Sequence, residues 1–194
     1  MFEDDYVFFR KYLANLNRFN LCGTTYAPFV SQDKDLWNLM DRPDIFWHLV
    51  TSSKTKDCTN NSPIVPCCNT LEMSGCDEIS EANDVLHCIS RVPCPYRARG
   101  MRSLKLIMDS LAYGNVHGIS AALYKDQSGA KKMVIRRKCG CLDYVCIFKC
   151  YPYRYEAKGT VRPIRLITAF PLAYRSMIRK FDKIIGEQGL KIEQ

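Results

Sequence analysis

The chain has 194 residues, 47% of them hydrophobic and 11% aromatic, enough for one folded domain with a substantial core and too apolar for a disordered chain. Its 28 basic and 20 acidic residues leave a formal net charge of +8, which favours an anionic partner and says nothing about fold. No apolar run approaches the roughly 18 residues of a membrane span, and the acidic start MFEDDYVFF lacks the basic and apolar regions of a secretory signal. The expected site of action is therefore the cytoplasm, with export by a route other than Sec left open.

Residues 3–18 place Tyr6, Phe9, Leu13 and Leu16 at alternating spacings of three and four, with acids in the first turn. That spacing predicts an amphipathic helix whose start suits the dipole. A polar, turn-rich stretch follows, then Asp35 to Met40 predict a short helix ended by Arg42-Pro43. IFWHLVT, residues 45–51, is rich in bulky and branched residues and predicts a strand with Phe46, His48 and Val50 on one face. Residues 52–96 are dominated by Ser, Asn, Pro and Asp and predict a cysteine-rich insertion within a single 1–194 domain. RARGMRSLKLIMDSLAY then predicts a helix with Met101, Leu104, Ile107, Met108 and Leu111 on one stripe. GISAALY, KKMVIRRK, DYVCIFKC and PIRLITAF read as an antiparallel meander. A helix started by Pro171 closes the chain, with Tyr174, Ile178, Phe181 and Ile185 inward and Arg175, Arg179, Lys180 and Lys183 outward. Helices first and a meander last predict an α+β fold.

Eleven cysteines is a high and odd number, so at least one thiol stays free or pairs with another chain. Cys58, Cys67, Cys68, Cys76, Cys88 and Cys94 fall in the insertion, with His87 beside them. Structural zinc sites bring paired knuckles from two loops, and neither this group nor Cys139, Cys141, Cys146 and Cys150 has two. No cofactor and no metal ligand is therefore expected. A structural zinc at the insertion cysteines and disulfides within it both remain open. In DYVCIFKC, Cys146 and Cys150 share a strand face with Phe148, so both are expected in the core.

Four features carry the functional expectation. His48 sits inside IFWHLVT, Arg97, Arg99 and Arg102 precede an apolar helix, Tyr144 heads DYVCIF, and Thr168 lies in LITAF. Their order, closed by a basic C-terminal helix, resembles the nuclease domains of phage and mobile-element proteins. That superfamily unites barnase, EndoU, RelE and the tRNA-cutting colicins. The resemblance covers residues 45–51 and 97–183, and the tryptophan of the family's apolar helix is missing from SLKLIMDSL. It implies a metal-independent endoribonuclease, a toxin or mobile-element effector, in which the ribose 2′-OH attacks the adjacent phosphate. Such a reaction needs a base, an acid and donors for the phosphorane. His48 is the acid or base that the resemblance implies, because imidazole exists in both forms near neutral pH. Arg99 and Arg102 would grip the phosphate, Tyr144 would donate a hydrogen bond or stack, and Thr168 would bond a non-bridging oxygen.

RNA binding is also read from composition. Cations and aromatics interleave at Arg136 and Arg137, at Tyr153 and Arg154, and along the last helix at Arg175 and Arg179, with Arg97 upstream. RNA is the expected partner, together with an acidic inhibitor protein if the chain is a toxin. Two other classes stay open: a non-catalytic RNA- or protein-binding module, and an NAD-dependent ADP-ribosyltransferase toxin. No Walker A, GxGxxG or HExxH motif occurs.

Overall fold

The computed structural model describes residues 3–34, 42–53, 91–139, 142–157, 159–172 and 174–190. The short helix expected at 35–40 and most of the insertion, residues 54–90, lie outside them, as do five of the insertion's cysteines.

The chain begins with α1 (Glu3–Phe8), which continues as a π-helical turn (Phe9–Leu13). Phe9 and Leu13 of that turn are fully enclosed, as the spacing predicted. A hairpin follows, β1 (Phe19–Leu21) and β2 (Thr24–Phe29), in the segment read as polar and turn-rich. Its two-residue turn puts Cys22 at φ 49° and Gly23 at φ 72°, the paired positive angles that match the twist of the strands.

IFWHLVT is not a strand. Residues Asp44–Val50 form α2, with Pro43 at the N-cap and Asp44 in the first turn, and only Thr51 enters a strand, β3 (Thr51–Ser53). Ile45, Phe46, Trp47, Leu49 and Val50 are all buried. A short helix enclosed nearly all round has no 3.6-residue signature, and tertiary burial here overrides β-propensity. The Thr51 hydroxyl donates to the Trp47 carbonyl at 2.6 Å and closes the last turn. β3 pairs antiparallel with β4 (Arg91–Pro93), so the described residues on either side of 54–90 lie side by side.

The long helix α3 spans Pro95–Ala112, and Met101, Leu104, Ile107, Met108 and Leu111 are all buried along its predicted stripe. β5 (Ile119–Lys125), β6 (Lys131–Cys139) and β7 (Leu142–Cys150) then run antiparallel. β8 (Arg154–Glu156) follows β7 and pairs with β9 (Gly159–Pro171). Pro171 does not start the last helix. It ends β9 opposite Tyr144, where a missing N–H is tolerated, and α4 begins at Arg175 and runs to Gln188.

The sheet order is β1-β2-β9-β7-β6-β5. It is mixed, because β2 joins β9 in parallel while β9 joins β7 antiparallel. The expected α+β class holds, and the expected purely antiparallel meander is corrected by β2. One sheet face, with Met133, Ile135, Cys146, Phe148, Ile164 and Leu166, packs under α1, α2 and α3. The other, with Ala122, Val134 and Val145, packs under α4 through Phe181, and Leu172 just beyond β9 joins this second core. Cys146 and Cys150 belong to the first core, as the strand alternation predicted. Among the described residues no helix is long and apolar enough to cross a membrane.

Candidate functional site

His48 and Thr168 come together, and the residue that joins them is Arg97. Its Nη2 donates to the His48 carbonyl at 2.8 Å and to Thr168 Oγ1 at 3.0 Å. Its guanidinium lies 5.2 Å from the centre of the Phe170 ring. Arg97 thus ties α2 and α3 to β9, in the stretch of β9 beyond its pairing with β2, which ends at Arg165. Beside this junction is a cleft of about 360 Å³, lined by Ser31, Asp33, Asp44, Ile45, His48, Arg165, Leu166 and Ile167. His48 is half-buried there, one helical turn beyond Asp44.

Arg99 and Arg102 do not join the cleft. Both are exposed on the side of α3 that faces α1. Arg102 lies 3.9 Å from Asp5 and 5.3 Å from the centre of the Phe8 ring. Burial raises the Asp5 carboxyl above the ordinary carboxylate value, and the Arg102 charge opposes that rise. Tyr144 is not available either. Its ring is completely enclosed against Gly100, its Oη has no hydrogen-bond partner, and burial pushes the phenol well above its usual value. A ring enclosed on every side has no face on which a base could stack.

The residues expected to bind RNA also divide. Arg136 is 5% exposed and fully engaged: it grips Asp143 with Nε and Nη2 at 2.6 Å each, and Nη1 reaches Asp182 of α4 at 2.6 Å. It fastens the last helix to the sheet and cannot also hold a phosphate. Arg137 is half-buried with its Nε enclosed and without a hydrogen-bond partner. Tyr153, Arg154, Arg175 and Arg179 are exposed.

What the sequence reading missed is a row across the sheet. Tyr124 pairs with Lys132, Lys132 with Lys149, Lys149 with Arg165, and Arg165 with Phe29. Cross-strand partners share a face. Five adjacent strands therefore carry aromatic, cation, cation, cation, aromatic in one line on the α4 side. The helix covers only part of that face, and the row stays partly open, with Lys132 24%, Arg165 34% and Phe29 40% exposed. Carboxylates meet the two outer cations: Asp126 is 2.7 Å from Lys132 and Asp33 is 4.0 Å from Arg165. Lys149, between them, lies 5.5 Å from the Tyr151 ring, which in turn contacts Phe29 at 5.7 Å. Like charges directly opposite are destabilising; the carboxylates Asp126 and Asp33 relieve the outer cations, while Lys149 between them has no ion pair among the described residues and is the cation of the row that an external anion would answer. Alternation alone marks Lys132, Lys149 and Arg165 as facing away from Met133, Phe148 and Leu166. Only the register puts them side by side.

At the same end of the sheet a larger cavity of about 480 Å³ is lined by Leu123, Tyr124, Lys125, Lys131, Lys132, Arg162 and Gln188. The Arg162 and Lys131 charges both act on the Cys150 thiol, whose pKa burial raises and they lower. No cluster of three or more metal-ligating side chains occurs among the described residues. No protein-family model, curated protein or solved structure matches this chain.

Proposed function

We propose that this chain binds single-stranded RNA across the open part of its sheet. The observation that carries the reading is the Tyr124–Lys132–Lys149–Arg165–Phe29 row. Cations in line can track a phosphate backbone, and flanking rings can stack unpaired bases without regard to sequence. Three phosphate contacts on a single strand predict that log K falls with log salt at a slope of about −2. Replacing Lys132, Lys149 and Arg165 together by Gln should flatten that slope in a titration of oligouridine by fluorescence anisotropy. An unchanged slope in the folded variant places the RNA elsewhere. An acidic inhibitor protein would meet the same row.

A second reading, RNA cleavage, is favoured by one observation: Arg165 belongs both to the row and to the cleft lined by His48. A phosphate held by Arg165 would lie at the mouth of that cleft. His48 would take the 2′-proton, the 2′-oxygen would bond to phosphorus, and the bond from phosphorus to the 5′-oxygen would break. The 5′-oxygen would leave with a proton drawn from solvent. In this arrangement Arg165 takes the phosphate-binding role expected of Arg99 and Arg102, and Arg97 is a positioning residue acting through Thr168 and the end of α2. The test is cleavage of total RNA in excess EDTA by the native chain and by His48→Ala, with end-group analysis. Cleavage to 2′,3′-cyclic phosphate ends by the first alone supports it, and no cleavage by folded native protein leaves RNA binding without scission.

A further inference from the structure

The larger cavity is lined by a charge that has no ion pair among the described residues. Arg162 on β9 is 7% exposed, its Nε has no hydrogen-bond partner, and no carboxylate pairs with it among the described residues. Tyr153 lies over its guanidinium at 5.1 Å from the ring centre. Lys125 and Lys131 line the same cavity and likewise have no ion pair among the described residues. Burying a guanidinium without an anion is costly, and the usual resolution in proteins is a paired negative group.

We infer that this cavity binds a phosphate monoester. The planar fork of Arg162 suits bidentate contact with phosphate oxygens, and the two lysines supply the charge that balances a dianion. At about 480 Å³ the space exceeds a bare phosphate and falls in the range of small-molecule sites, so the ester carries a further group such as a nucleoside. The phosphate can belong to a free nucleotide or to the 5′ end of an RNA. The inference stands on Arg162 and its cavity and does not depend on the row.

The test uses the full chain, thermal unfolding and isothermal titration, with inorganic phosphate, AMP, adenosine, and oligouridine with a 5′-phosphate or a 5′-hydroxyl. AMP at about 100 times its Kd should raise Tm by roughly 5–10 °C, and adenosine should not. Arg162→Met should abolish the rise, yet melt no lower than the native chain without ligand, because it removes an unpaired buried charge. A merely structural arginine would behave in the opposite way. Lys131→Gln, at an exposed position, should weaken AMP about tenfold. Tighter binding of the 5′-phosphorylated oligomer than of AMP identifies an RNA end as the source, and equal binding identifies the free nucleotide. No response to phosphate or AMP, or a response that survives Arg162→Met, overturns the site. Should Arg162→Met fail to fold, unchanged AMP affinity in Lys131→Gln overturns it.

Discussion

Lys149→Gln separates what the row costs the fold from what it does for a ligand. Lys149 stands directly opposite Lys132 on one side and Arg165 on the other. Each like-charged cross-strand contact is unfavourable by about 0.2–1 kcal/mol, so removing the central charge relieves at most about 0.4–2 kcal/mol at low salt, reduced by what Asp126 and Asp33 already offset at the outer cations. The variant also loses the contact of Nζ with the Tyr151 ring, about 0.5–1 kcal/mol at a site of this exposure. The two effects differ in their response to salt. The Debye length falls from about 30 Å at 0.01 M to about 3 Å at 1 M, so the repulsion is screened at the higher concentration. The Tm of the variant relative to the native chain should therefore be higher at 0.01 M than at 1 M by at most about 1–8 °C, taking about 2–4 °C per kcal/mol at this size. Losing one phosphate contact should also weaken oligouridine about fivefold at 0.1 M salt. If the difference in Tm is the same at both salt concentrations, the three cations do not repel one another and the argument for an anion over the row fails.

Two further predictions concern the parts that hold the site in place. Arg136→Met leaves Asp143 half-buried without its bidentate partner and frees Asp182, and should cost about 3 kcal/mol in urea unfolding. Adding Asp143→Leu should recover most of that, and a double variant no more stable than the single one would refute the buried-charge account. At Gly100 a Cβ would meet Cε2 of the enclosed Tyr144 at 2.8 Å. Overpacking of about 1–3 kcal/mol then outweighs the roughly 1 kcal/mol that alanine contributes within a helix. Gly100→Ala should lower Tm, and a rise would show that the ring can yield.

The elements legible in the sequence are those whose periodicity and burial agree. α3 buries its predicted stripe, and α4 keeps Arg175, Arg179, Lys180 and Lys183 exposed while Phe181 is buried. β5, β6 and β7 follow the expected segments closely, while β9 begins at Gly159, before the expected PIRLITAF. Two elements were misread for opposite reasons. IFWHLVT is apolar enough to be a strand and is a helix because its surroundings bury it on nearly every side. The β1–β2 hairpin is polar enough to be a loop and is sheet because Phe19, Leu21 and Tyr26 reach the core while the residues between them face outward. Its parallel union with β9 joins residues more than a hundred positions apart, a pairing that no local pattern encodes.

The candidate site shows the same boundary between what is local and what is not. Three arginines within six residues look alike in RARGMR, yet they leave α3 in different directions. Arg97 reaches β9 and α2, while Arg99 and Arg102 turn to α1. A two-residue step on a helix rotates a side chain by about 200°, so which arginine reaches β9 follows only from the buried stripe of Met101, Leu104 and Ile107 as a phase reference. The cation row is a harder case. Each of its members alternates correctly with core residues on its own strand, but a one-residue slip between any two strands would move half the row to the other face. The row exists only in the register that the turn at Asp126–Gly129, the irregularity between Ile147 and Phe148, and the parallel entry of β2 together impose. Sequence alone could say that the chain is basic and interleaves cations with rings. Assigning those cations to Lys132, Lys149 and Arg165, instead of to the buried Arg136 beside them, depended on the register.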